Sequence, residues 1–143
     1  MLQRKDLSDE VIMVVDGDIR VRTLVETSLK NALGEDYVIV GIGDGALAVE
    51  TFKTSDYKPI ALVLEVMLAR KSGFFVLEQI KALFPNQKES PYFIYFTANQ
   101  GKRHRQYAEA LGADGYVIKP SKYNEMARAV GKVTGLVKKC LGV

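Results

Sequence analysis

Tryptophan is missing from this chain, and cysteine and histidine occur once each, as Cys140 and His104. A lone thiol excludes an internal disulfide, and nothing around it offers metal-ligand company, so the expected setting is a reducing cytoplasm. A lone histidine leaves little for a Ser-His-Asp triad. His104 stands in a Lys-Arg-His-Arg run at a helix start, where a solvated surface side chain is expected. No apolar run approaches the roughly 18–20 residues that cross a bilayer, so no membrane partner is expected. Residues 1–10 are polar and mixed in charge, unlike a signal peptide. They read as an extension to a single domain over residues 11–143. Nucleotide-binding signatures are lacking too: no G-x-G-x-x-G follows the first strand and no G-x-x-x-x-G-K-[ST] occurs. Gly41, Gly43 and Gly45 lack the phosphate-loop spacing.

What is present is an ordinary globular mix of 48% hydrophobic and 26% charged residues over 143 positions, enough for one domain. Twenty basic against seventeen acidic residues leave a net charge of +3, too small an excess to imply a nucleic-acid partner. Five short runs rich in β-branched or aromatic residues predict strands at Val11–Val15, Tyr37–Ile42, Ile60–Leu64, Tyr92–Phe96 and Tyr116–Ile118. The first and third are apolar almost throughout, as expected of parallel strands covered on both faces. In the fourth, Tyr-Phe-Ile-Tyr-Phe, the hydroxyls are expected at the rim.

Helical spacing fills the gaps. Val21, Leu24, Val25, Leu29 and Ala32 mark a first helix closed by Gly34. Asp44 caps a second, with Ala46, Leu47, Val49 and Phe52 as its stripe. Ser72 and Gly73 open a third with Val76, Leu77, Ile80 and Leu83, stopped by Pro85. Gln100–Leu111 predicts a fourth, and Met126, Val130, Val133 and Val137 a fifth reaching toward Lys139. Asn86–Ser90 reads as loop. Five β-α units imply a three-layer, doubly wound α/β fold around one parallel sheet.

Ligands of such sheets bind beyond the carboxyl ends of the strands. The first strand ends in Asp16-Gly17-Asp18, the third in Glu65, the fourth in Thr97-Ala98 and the fifth in Lys119-Pro120. Each alone has a plain reading as cap, strand residue or solvated charge. Their coincidence at four strand ends predicts one shared site.

Val14-Val15-Asp16, Gly73 eight residues after Glu65, Phe96-Thr97-Ala98 and the run Gly112-Ala113-Asp114-Gly115-Tyr116-Val117-Ile118-Lys119-Pro120 together resemble a receiver domain of two-component signalling. The resemblance covers about residues 11–138 and implies a CheY-like, flavodoxin-like sheet with strand order 2-1-3-4-5. It also implies phosphorylation, by a histidine kinase, of an aspartate ending the third strand. Acids ending the first strand would help hold Mg²⁺, with Thr97 and Lys119 contacting phosphoryl oxygens and Tyr116 as the accompanying switch aromatic. Two positions depart from that pattern. Glu65 stands at the acceptor aspartate and Gly17 at the acid that binds Mg²⁺ directly, while Ala69 replaces a common proline.

Losing the Gly17 carboxylate removes a ligand from an ion that demands near-octahedral oxygens. The extra methylene of Glu65 displaces its carboxylate by about 1.5 Å, and misplacement on that scale can cost about a hundredfold in rate. The longer acid is expected to reach toward Thr97 and Lys119, with a standing Glu65–Lys119 contact. The expected function is therefore a pseudo-receiver: no enzyme and no required cofactor, working through a signalling protein partner. A histidine kinase or effector would dock on the face of the fourth helix, fifth strand and fifth helix, near Lys102, Arg103, His104, Arg105, Tyr107 and Tyr116. The alternative is a residual acceptor or Mg²⁺ site built from Glu65, Asp16 and Asp18. A small acid–base enzyme using Glu65 and Lys119 is the least supported reading, because no substrate pocket is evident.

Overall fold

The computed structural model describes residues 11–143; the expected extension over residues 1–10 lies outside them. The strands are β1 (Val11–Val15), β2 (Val38–Ile42), β3 (Ala61–Leu64), β4 (Tyr92–Thr97) and β5 (Gly115–Ile118). The helices are α1 (Ile19–Leu33), α2 (Gly45–Thr54), α3 (Gly73–Lys81), α4 (Lys102–Ala110) and α5 (Met126–Leu141). All strand pairings are parallel, in the order β2-β1-β3-β4-β5, the doubly wound arrangement anticipated from the sequence.

Strand side chains alternate between two cores, one on each face of the sheet. Met13, Val15, Leu62, Leu64, Phe93 and Tyr95 pack beneath α2 and α3, joined by Ala108 of α4. Ile12, Val14, Ala61, Val63, Ile94 and Phe96 pack beneath α1 and α5. Both faces of β1 and β3 are buried, which explains their unbroken apolar sequences, whereas β2 lies at an edge and leaves Val38 half exposed.

Local chemistry sets the helix starts. Asp18, Asp44 and Ser72 accept hydrogen bonds from the amides of Arg20, Leu47 and Phe75, satisfying donors that the first helical turn leaves free. Three expectations need adjustment. Ala32 and Leu47 are exposed, because Ala48 and the partly buried Leu33 complete their stripes. Helix α3 ends at Lys81, four residues before Pro85. The stretch Asn86–Ser90 contains a 3-10 turn at Gln87–Glu89, opened by the Asn86 side chain on the Lys88 amide.

Candidate functional site

Register carries the four strand-end residues to one edge. Val15 pairs with Leu64, so the next residues, Asp16 and Glu65, emerge side by side, and the Glu65 amide donates to the Val15 carbonyl at 2.9 Å. Thr97 pairs with Ile118, which sets Lys119 one step beyond β5 with its amide on the Thr97 carbonyl at 2.8 Å.

The side chains meet tightly. Lys119 Nζ lies 2.5 Å from Glu65 Oε2 and 2.6 Å from Asp16 Oδ2, with all three side chains at most 10% exposed. The remaining carboxylate oxygens are satisfied by backbone. Asp16 Oδ1 accepts from the Asp18 amide at 2.9 Å, and Glu65 Oε1 accepts from the Val66 amide at 2.7 Å. Arg22 of α1 donates to the Asp16 carbonyl at 2.7 Å, bringing a second cation beside the pair. No buried side-chain polar atom among the described residues lacks a partner.

Electrostatics follow from that geometry. Burial pushes the Asp16 carboxyl above the usual aspartate range, outweighing the pull of Lys119. Burial alone would lower Lys119, but hydrogen bonds and charge from Asp16 and Glu65 outweigh it, so its ammonium is held above the ordinary lysine value. One cation is shared by two acids, and the desolvation of Asp16 is not fully offset by it.

The other expected members are placed differently. Asp18 turns outward to cap α1 and pairs with Arg20, which lowers its pKa through that contact. Thr97 is buried, and its hydroxyl accepts from the Asn99 amide at 3.2 Å. Among the described residues it makes no hydrogen bond to Glu65. The expected reach of Glu65 toward Thr97 is thus corrected: the carboxylate curls over the amides of Val66 and Met67, and its one side-chain partner among the described residues is Lys119. Tyr116 is buried, its hydroxyl donating to the Asn99 carbonyl at 2.8 Å; burial first, then Glu65, raises its pKa. Among the described residues no group of three or more His, Cys, Asp or Glu side chains is placed to hold a metal ion.

The structure adds detail to the contacts expected from the sequence. The expected Glu65–Lys119 contact is present, but Asp16 shares the same ammonium. Tyr95 does not reach the rim. It is fully buried in β4, donates to the Gly73 carbonyl at 2.8 Å, and packs against Tyr116 with ring centroids 6.1 Å apart. The clue was the continuous apolar character of Tyr-Phe-Ile-Tyr-Phe, which already implied burial on both faces. The basic run of α4 divides. Arg105 turns toward β5 and the Tyr116 carbonyl, whereas His104, exposed as expected, stacks its ring on Phe74 of α3.

The chain belongs to the response regulator receiver domain family, whose profile matches residues 12–131. It is 32% identical over 122 residues to a protein of Cyanophora paradoxa named "Probable transcriptional regulator ycf27", covering 85% of this chain and 46% of that one. It is 30% identical over 112 residues to the "Alkaline phosphatase synthesis transcriptional regulatory protein PhoP" of Bacillus subtilis, covering 76% and 42% respectively. The chain therefore spans about half the length, or less, of these curated relatives. The response regulator domain of Thermotoga maritima CheB superposes with a TM-score of 0.76 at 18% identity, covering 94% of this chain and 97% of that one. A receiver domain from Rhodospirillum rubrum gives 0.74 at 22% identity, covering 91% and 94%. At such identities the likeness concerns the fold. Among the described residues no helix is long and apolar enough to cross a membrane.

Proposed function

We propose that this receiver domain of a two-component response regulator works by protein–protein contact, without Mg²⁺-dependent aspartyl phosphorylation and without enzymatic activity of its own. The observation that carries this reading is the Lys119 ammonium lodged between Asp16 and Glu65. Phosphoryl transfer depends on positioning and on a cation that neutralises the transferring group. Here the cation in contact with the carboxylates is covalently part of the chain, and the donor set does not fit Mg²⁺. Gly17 offers no carboxylate, Asp18 is committed to the α1 cap, and Asp16 is engaged by lysine. An octahedral ion would have to displace Lys119 and would find too few oxygens. The reading of Glu65, Asp16 and Asp18 as a residual acceptor or metal centre loses support for the same reason, since Asp18 would have to abandon its helix. On this reading Glu65 replaces the acceptor, and Thr97 and Tyr116 are held in one arrangement. A histidine kinase or an effector segment remains the class of partner.

The test is phosphorylation by acetyl phosphate with Mg²⁺, followed by intact mass. The native chain is expected to remain unmodified. Gly17→Asp with Glu65→Asp is expected to restore an adduct, and a Cβ at Gly17 has room, its nearest neighbour being the Gly43 carbonyl at 3.6 Å. A metal-dependent adduct on the native chain would overturn the proposal.

A further inference from the structure

The contacts of α4 point to a docking groove on a different side from the α4–β5–α5 face. Between α3 and α4 lies a surface groove of about 400 Å³ lined by Phe74, Arg103, His104 and Tyr107. That volume falls in the lower part of the roughly 300–1,000 Å³ range of ligand pockets and suits the apolar anchor of a peptide. Its floor is Phe74, half-buried, with the Tyr107 ring edge-on at 4.9 Å and the His104 ring stacked at 6.0 Å. Tyr107 is 47% exposed although its hydroxyl is tied to Glu78 Oε1 at 3.3 Å, so an aromatic wall is presented to solvent in a fixed orientation. Arg103 lines the groove and, like the preceding exposed Lys102, has no ion-pair partner among the described residues. Arg105, by contrast, is spent on Glu109 and the Tyr116 carbonyl.

We infer that this groove binds an acidic peptide segment of a partner protein, with an apolar or aromatic side chain seated against Phe74 and Tyr107 and carboxylates facing Arg103. Charge complementarity selects this occupant: the Arg103 guanidinium lines the groove without a counter-ion and Lys102 precedes it, while the one carboxylate tied to the groove, Glu78, is held by the Tyr107 hydroxyl. Stacked nucleobases suit the groove less well. The Phe74 and Tyr107 rings meet edge-on and offer no parallel stacking platform, and two cations do not make a track along a phosphate backbone. The groove is also linked to the strand-edge site through β4. Phe74 follows Gly73, whose amide donates to the Val66 carbonyl and whose carbonyl accepts from Tyr95; the Tyr95 ring touches both Phe74, at 5.4 Å, and Tyr116.

This inference rests on the reading that docking is the domain's output, and it names the surface and the partner chemistry. The experiment is selection from a displayed library of random dodecapeptides on the full chain, in low salt. Enriched peptides should be acidic around an apolar anchor and should weaken as salt rises. They should lose at least about tenfold in affinity on Arg103→Glu, a surface change that leaves the fold intact, and on Tyr107→Ala. Lys132→Glu on α5 should leave them unaffected. Enrichment of neutral or basic peptides, failure to enrich any, or a stronger effect of Lys132→Glu overturns the groove. Tighter binding of a random single-stranded oligonucleotide that is lost on Arg103→Glu also overturns it. Those failures are separate from that of the parent reading, which falls only if acetyl phosphate modifies the native chain.

Discussion

Lys119 is the residue on which the site's charge balance turns. Two buried carboxylates against one ammonium leave an excess negative charge, tempered by the amides of Asp18 and Val66 and by nearby Arg22. Lys119→Met would strand Asp16 and Glu65 without a counter-ion, and breaking a buried pair from one side costs about 3–5 kcal/mol. An unfolding free energy lowered by that amount, read from the shift of the urea midpoint at unchanged slope, is the expected outcome at neutral pH. The pH dependence has a definite sign. The native state holds the Lys119 proton more tightly than the unfolded chain, so its stabilisation is complete below the ordinary lysine value of 10.5 and is lost as pH rises through the native pKa. The gap between native protein and Lys119→Met should therefore narrow only over the interval above about pH 10.5. A constant gap across that interval would contradict the charge assignment. Asp16 acts in the opposite sense to a salt-bridged acid. Its raised native pKa means that its contribution diminishes as pH climbs from the unfolded value of 3.8 through the native one, so neutral pH carries the cost of desolvating it.

Elements meet the site through backbone as much as through side chains, and α3 shows this best. A Cβ on Gly73 would come within 2.1 Å of the Glu65 carbonyl oxygen, so the first turn of α3 can approach the end of β3 only as glycine. Gly73→Ala must push α3 away from Glu65, costing about 1–3 kcal/mol, with amide shifts at Val66 and Met67 by NMR as the local signature. Tyr95→Phe tests the link from β4 to α3. Loss of the hydrogen bond to Gly73 is worth about 1 kcal/mol at neutral pH. Burial raises the Tyr95 phenol far above its ordinary value of 10.0, so native protein resists ionisation that the unfolded chain undergoes. Native stability falls with rising pH above that value while the phenylalanine variant is spared, so the difference between them should shrink in alkali; growth of the difference would refute it. At this scale much was legible in the sequence. Strand ends and capped helix starts are written in local apolar runs and in Asp18, Asp44 and Ser72. That Asp16 and Glu65 face Lys119 follows from the strand ends as well; that both carboxylates touch the one ammonium depends on side-chain reach across β1, β3 and β5. The outward turn of Asp18 has the same character, since a helix start competes for its carboxylate. Nor did the order of residues reveal that adjacent α4 side chains, His104 and Arg105, serve opposite neighbours: consecutive helical positions point about 100° apart, and only the packing says what stands on each side.

For the whole molecule, the cluster of Asp16, Glu65 and Lys119 ties β1, β3 and β5 together, so anything that binds it should register in global stability. A ligand that binds only the native state adds RT ln(1 + [L]/Kd) to the unfolding free energy. If the Lys119 ammonium serves in place of a bound divalent cation, Mg²⁺ has no native site to bind, and thermal unfolding of the native chain should be identical in chelator and in millimolar Mg²⁺. Gly17→Asp with Glu65→Asp supplies a carboxylate where none stood and withdraws the longer acid from lysine. The variant should start less stable in chelator, because it adds a negative charge beside Asp16 and withdraws Glu65 from Lys119. With Mg²⁺ at tenfold its Kd it should recover about 1.4 kcal/mol, about 3–6 °C in Tm for a domain of this size. Ca²⁺, larger and tolerant of irregular oxygen geometry, serves as the contrast. A Mg²⁺-dependent rise in the native chain would mean that Lys119 yields its place to the ion. The absence of a rise in the variant would mean that Arg22, whose guanidinium already sits on the Asp16 carbonyl, pairs with the new carboxylate first. Adding Arg22→Ala to the variant separates those outcomes, because removing that guanidinium should then release the Mg²⁺ response.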